Sequence, residues 1–120
     1  MAKILIVDDA ASMLGLIEIT LKNEGHEVVS ASDGVLALAK LDGTYFDLII
    51  TDLNMPNMNG VEFIKAAKAK SDYKFTPIVM LTTESRDNKK QEGKAAGAKA
   101  WIVKPFKPDT LLGVVRKILG

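Results

Sequence analysis

The sequence predicts an α/β protein, a doubly wound parallel sheet of five strands with helices on both faces. Three observations carry that reading. Five short apolar runs alternate with five segments of helical length, an alternation that calls for crossovers and parallel neighbours. The runs are mostly apolar throughout rather than every second residue, as in strands covered on both faces. Polar residues follow the runs directly: Asp8 and Asp9, Asp52, Thr82, and Lys104. In a parallel sheet these positions share one end, where the loops diverge and leave a crevice.

Taken in order, Ile4 to Val7 is a β-branched run ending on Asp8 and Asp9. From Ser12 to about Asn23, Met13, Leu14, Leu16, Ile17 and Leu21 recur at helical spacing, with Ser12 as the expected cap and Gly25 beyond the end. Val28 to Ala31 is a weaker strand with polar flanks, placed near an edge. Val35 to Leu41 is a short helix with Val35, Leu38 and Leu41 on one face. Leu48 to Ile50 is the central strand and delivers Asp52 at its carboxyl end. Asn59-Gly60 starts a third helix bearing Val61, Phe63, Ile64, Ala67 and Lys68, and Lys70 to Thr76 reads as a polar connection. Ile78 to Leu81, opened by Pro77, ends on Thr82 and Thr83. Ser85 is the expected cap of a fourth helix through Ala96, closed by Gly97. Between Arg86 and Lys94 that helix has no apolar side chain and contains Gly93, so only Ala95 and Ala96 are expected to dock it, and it should be the most mobile helix. Ala100 to Val103 is the fifth strand. Pro108 opens the last helix, with Leu111, Leu112, Val115, Ile118 and Leu119 on its buried face.

A chain of 120 residues is expected to form one domain, residues 1–120, burying about two thirds of the surface that its unfolded form exposes. Sixteen basic against 15 acidic residues give a formal charge of +1, which argues against a nucleic-acid partner. There is no cysteine, so thiol nucleophiles, thiolate metal sites and disulfides are excluded. The opening MAKILIVDDA is no signal peptide, and no segment approaches the ~20 apolar residues of a membrane span. A cytoplasmic monomer without membrane contact is expected.

Three carboxylates gathered at one crevice repel one another, by about 3 kcal/mol per pair at ~5 Å with an effective dielectric of ~20. A cation must therefore sit among them. Oxygen ligands without His or Cys select a hard ion, and partly hydrated Mg²⁺ suits a site that also receives phosphate oxygens. Lys104 adds a second positive charge. One carboxylate can then act as nucleophile on a phosphoryl group, giving an aspartyl phosphate, and Thr82 can donate a hydrogen bond to the product. No GxxxxGK or GxGxxG is present, so no nucleotide site is expected.

The pattern Asp8-Asp9, Asp52, Thr82 and Lys104-Pro105 within a five-fold βα chain resembles the receiver domain of two-component response regulators over its whole length. The stretch AAGAKAWIVKPF, and the end of the sequence after the last helix, resemble the free-standing chemotaxis regulators of the CheY type. The resemblance implies a flavodoxin-like strand order 2-1-3-4-5, the order that CheY-type regulators share. It implies Asp52 as phosphoacceptor, Asp9 as a direct Mg²⁺ ligand, Asp8 acting through water, and the backbone carbonyl of Asn54 completing the set. Lys104 and Thr82 would bind phosphoryl oxygens, and the Lys104–Pro105 bond would be cis. The donor would be a phosphohistidine on a histidine kinase. The output would be contact with a downstream protein, a flagellar switch component, through the face of helix four, strand five and helix five. The chain would be a signalling switch that catalyses only its own phosphorylation and dephosphorylation. In that switch Thr82 moves toward the phosphoryl group and Trp101 turns inward into the space vacated.

Three positions depart from that type. Trp101 stands where Tyr or Phe is usual, so an inward rotamer needs more room. Thr83 stands where a smaller residue is common, which should narrow access to Asp52. Leu14 stands where an arginine is frequent, with no consequence assigned. Asn54 and Glu84 resemble the residues of regulators served by a dedicated phosphatase. His26 reads as a solvated turn residue. Lys89, Lys90, Lys94 and Lys99 surround the output face and suggest an acidic or amphipathic partner segment. An aspartate-nucleophile phosphatase would want Asp-x-Asp after the first strand and a cap insertion, and a flavodoxin-like carrier would want a phosphate loop where Asp8 and Asp9 would repel phosphate. A phosphorelay intermediate or a regulator outside motility remains the alternative within the leading class.

Overall fold

The computed structural model describes residues 2–120. Five strands form one parallel sheet: β1 (Lys3–Val7), β2 (Glu27–Ala31), β3 (Leu48–Thr51), β4 (Ile78–Thr82) and β5 (Ala100–Val103), in the order β2-β1-β3-β4-β5. The connecting helices are α1 (Ala11–Lys22), α2 (Gly34–Lys40), α3 (Gly60–Lys68), α4 (Asp87–Ala96) and α5 (Pro108–Leu119). Each crossover helix covers one face of the sheet. Strand β3, central in the order, is buried at every residue, whereas β2 at the edge exposes Glu27 and Ser30.

The strand residues supply two cores. Ile4, Ile6, Leu48, Ile50, Val79, Leu81 and Ile102 point to one side and meet Ile17 and Leu21 of α1 and Leu111 and Val115 of α5. Leu5, Val7, Ile49, Ile78 and Met80 point to the other and meet Ala37 of α2 and Phe63, Ile64 and Ala67 of α3. Alternate residues of an all-apolar strand thus each find a layer of helices. Helix α3 has the best-formed start. The Asn59 side chain accepts from Glu62 N while Glu62 reaches back to Asn59 N, a reciprocal capping box.

Several local expectations are corrected. Neither serine caps a helix: α1 begins after Ala10 and α4 after Arg86, neither with a side-chain cap. Helix α2 begins one residue early, capped by Asp33 on Leu36 N at 2.8 Å, and buries Gly34 and Ala37 while Val35 stays 49% exposed. Leu16 is largely exposed on α1, and of the apolar residues of α5 only Leu111 and Val115 are fully buried. The polar connection contains a 3₁₀ turn, Ser71–Tyr73, whose buried Tyr73 donates to Thr44 O at 2.6 Å and accepts from Gly43 N at 2.9 Å. His26 is partly buried, and its Nδ1 accepts from Ala2 N at 3.1 Å. Among the described residues, no helix is long and apolar enough to cross a membrane.

Candidate functional site

Register brings the acids together. Val7 pairs with Thr51 across β1 and β3, so the next residues, Asp8 and Asp52, leave the sheet side by side, with Asp52 N still donating to Val7 O at 2.9 Å. Thr82 pairs with Val103 across β4 and β5, and Lys104 N donates to Thr82 O at 2.8 Å. Four neighbouring strands therefore end on one crevice. One carboxylate oxygen from each of Asp8, Asp9 and Asp52 lies within 4.8 Å of the others.

Asp8 and Asp52 are buried and Asp9 is exposed, so the cluster opens to solvent on the Asp9 side. Asp8 accepts from Ala10 N at 2.9 Å, and Asp52 accepts from Leu53 N at 2.7 Å. The second oxygen of each meets Lys104, whose Nζ lies 2.5 Å from Asp8 and 3.1 Å from Asp52. Burial alone pulls the Lys104 pKa down. The hydrogen bonds and charges of Asp8 and Asp52 outweigh it, and the net displacement is upward, so the ammonium stays charged. The Lys104–Pro105 peptide is cis. Thr82 is fully buried beside the crevice, while Thr83 and Asn54 are exposed around it.

The donor set fits a hard divalent cation. It is all oxygen, it carries three carboxylates against one ammonium, and it lacks the nitrogen or sulfur that a softer metal prefers. Asp8, Asp9 and Asp52 are the residues gathered to hold it.

Three contacts of the surround had no clear signal in the sequence, although Glu84 and Trp101 themselves were singled out there. Gly60 closes the loop after β3: its N donates to Leu53 O at 2.7 Å, and a Cβ there would run into the carbonyl oxygen of Asp52. The Asn59-Gly60 pair marks a helix start, but this backbone approach is a tertiary fact. Arg86 binds Glu84 through Nε at 2.9 Å, Nη2 at 2.7 Å and its own backbone N at 3.1 Å. The Arg86 side chain is the first cause holding the Glu84 carboxyl down to about 2. Trp101 donates its indole N–H to Glu84 O at 2.8 Å and packs partly buried against the α2–α3 core. Leu14, by contrast, lies on α1 against the opposite core, away from this loop.

These features define a class: open α/β proteins with an acidic crevice at the carboxyl ends of the strands, suited to a divalent cation and bridged by a lysine. Within it the chain belongs to the response regulator receiver domain family, whose family model matches residues 4–116. Chemotaxis protein CheY1 of Helicobacter pylori is 40% identical over 120 residues, spanning 98% of this chain and 97% of that protein. Chemotaxis protein CheY of Pseudomonas aeruginosa is 37% identical over 117 residues, spanning 97% and 94%. The solved structure of CheY4 from Vibrio cholerae superimposes with a TM-score of 0.95 at 55% identity, covering 99% of both chains. The receiver domain of a sensor histidine kinase from Pseudomonas aeruginosa, described with a magnesium ion coordinated in its active site cleft, gives 0.92 at 25% identity, covering 99% and 98%.

Proposed function

We propose that this chain is a phosphorylation-activated response regulator of a two-component system. It accepts a phosphoryl group from a histidine kinase onto Asp52 and signals by protein contact, in chemotaxis and control of the flagellar motor. The observation that carries the reading is the Lys104 ammonium seated between Asp8 and Asp52, at 2.5 and 3.1 Å, in a crevice that still holds three carboxylates.

An oxygen of Asp52 attacks phosphorus, the P–N bond of the phosphohistidine breaks, and its electron pair returns to the imidazole, which takes up a proton. Lys104, already in contact with Asp52, neutralises phosphoryl oxygens. The Thr82 hydroxyl donates to another once the side chain turns toward it. Asp8, Asp9, Asp52 and the Asn54 carbonyl would hold Mg²⁺, which supplies charge stabilisation to the transferring group. Catalysis extends only to the chain's own phosphorylation and dephosphorylation. A dedicated phosphatase would approach past Asn54 and Glu84, and it would meet the Glu84 carboxylate already engaged by Arg86.

The output face is α4, β5 and α5. Lys90, Lys94 and Lys99 rim a groove of about 280 Å³ whose floor is Ala98, Ala100 and Trp101. Cations around an apolar floor suit an acidic, amphipathic segment, such as one on a flagellar switch component.

The test uses Trp101, the sole tryptophan. Its fluorescence is followed while beryllium fluoride or a small phosphoryl donor is titrated with and without Mg²⁺, in wild type and Asp52→Asn. A Mg²⁺-dependent change absent from the variant is expected. No change, together with no added phosphoryl mass, refutes the reading.

A further inference from the structure

We infer that Gly93 is a positioning residue for Trp101, and that the indole seated on it is what docks α4 onto the sheet. Gly93 is the buried residue of α4, and a Cβ built there would lie 2.6 Å from Trp101 Cζ3 and 3.2 Å from Cε3. No side chain tolerates the first distance, so the six-membered ring occupies space that any other residue at 93 would fill. The other ring of the indole carries the N–H that reaches Glu84 O at 2.8 Å. One side chain from β5 thus touches both the middle of α4 and the loop that precedes it.

The rest of α4 explains why this contact matters. From Asp87 to Glu92 every side chain is polar or charged, Ala95 is exposed, and Ala96 alone adds a partly buried apolar contact at the far end. A helix with so little apolar surface has almost nothing else to hold it against the sheet. The glycine, costly in a helix interior, is therefore the socket for the tryptophan. A phenylalanine in place of Trp101 would lack both the outer ring that meets Gly93 and the donor for Glu84, so the socket is matched to tryptophan.

A consequence for signalling rests on the reading that Asp52 is phosphorylated. If the indole shifts when Thr82 turns toward the phosphoryl group, it leaves the Gly93 socket, and α4 with Lys90 and Lys94 is released with it. The partner surface then changes through undocking of a helix as well as through rotation of an aromatic ring.

Urea unfolding of wild type, Gly93→Ala, Trp101→Phe and the double variant tests the socket. In the Trp101→Phe background Gly93→Ala should raise the folded-to-unfolded ratio by roughly fivefold, the helix preference of alanine over glycine. With Trp101 present the same change should be at least tenfold less favourable, and acrylamide quenching of the indole should at least double. Equal effects in both backgrounds within twofold, or unchanged quenching, overturn the socket. Fluorine NMR of bound beryllium fluoride then separates the two readings. Gly93→Ala should bind the fluoride as wild type does yet lose most of its fluorescence response; a response equal to wild type overturns the signalling consequence. Absence of bound fluoride in wild type defeats the phosphorylation reading, and the signalling consequence with it, while the unfolding cycle still decides the socket.

Discussion

Lys104→Met removes the ammonium from between Asp8 and Asp52 while keeping a side chain of similar length. The side chains of Lys104, Asp8 and Asp52 are 9%, 2% and 11% exposed, so the two carboxylates left behind face each other in a largely dry place. Breaking a buried ion pair by deleting one partner costs about 3–5 kcal/mol. The opening beside exposed Asp9 lets water relieve part of this, which points to the lower end, about 3 kcal/mol. For a chain of this size that corresponds to a fall of roughly 10 °C in Tm, read by calorimetry at pH 7 in EDTA. Mg²⁺ should then raise the Tm of the variant more than that of wild type, because a cation there no longer shares Asp8 and Asp52 with an ammonium. The pH dependence has a definite sign. Since the Lys104 pKa is raised above the ordinary 10.5, its contribution is fully present below that value and is lost as pH climbs through the raised one. The gap between wild type and variant should stay flat from pH 7 to about pH 10 and close above it. A variant within about 2 °C of wild type in EDTA (about 0.5 kcal/mol) would refute the claim that Lys104 holds the acids together.

Other perturbations act on single contacts. Arg86→Ala should let the Glu84 carboxyl titrate well above about 2, toward its ordinary 4.5, in a carbon NMR titration; the stability it gives wild type is present above pH 4.5 and lost as pH falls toward 2. Tyr73→Phe removes the bonds to the Gly43 N–H and the Thr44 carbonyl, which water can reach instead, and should cost about 1 kcal/mol by urea unfolding. Gly60→Ala drives a Cβ into backbone at the Asp52 carbonyl, with no flexible side chain to yield. A loss of about 3 kcal/mol is expected, with weakened beryllium fluoride binding as Asp52 is displaced.

The strands and the crevice were legible because both rest on patterns that tertiary structure cannot easily override. An apolar run such as Leu48–Ile50 has one place to go in an α/β chain, and whatever follows it must emerge at the strand end. The misread positions are those where residue type and position part company. Val35 is apolar yet exposed, while Ala37, smaller, occupies the buried face of α2. Ser12 and Ser85 have the chemistry of caps, but the chain enters α1 and α4 at Ala10 and Arg86 instead. Tyr73 and Phe75 are two aromatics in one polar stretch, yet only Tyr73 is buried, and its burial depends on Gly43 and Thr44, which lie about thirty residues away. Gly93 shows the limit most plainly. As a helix residue it reads as a weakness, and only the ring across from it shows what the missing side chain admits.

Charge at the crevice supplies the last step from structure to switching. Three carboxylates and one ammonium leave two negative charges, which a single divalent cation would balance. Phosphorylation of Asp52 would replace one negative charge by about two, so the balanced crevice would gain one that it cannot neutralise with the groups already in contact. Hydrogen-bond donors must then turn toward it, and Thr82, fully buried at the end of β4, is the hydroxyl placed to do so. Two charge-assisted hydrogen bonds are worth roughly 3–6 kcal/mol, whereas reversing a 1:99 equilibrium takes about 5.5. On that arithmetic the proposed phosphorylation would bring the two states toward parity, and the proposed acidic partner on the lysine-rimmed groove would complete the change. Affinity for that partner should therefore rise by less in Trp101→Phe, where the state favoured without phosphate has already lost its bond to Glu84.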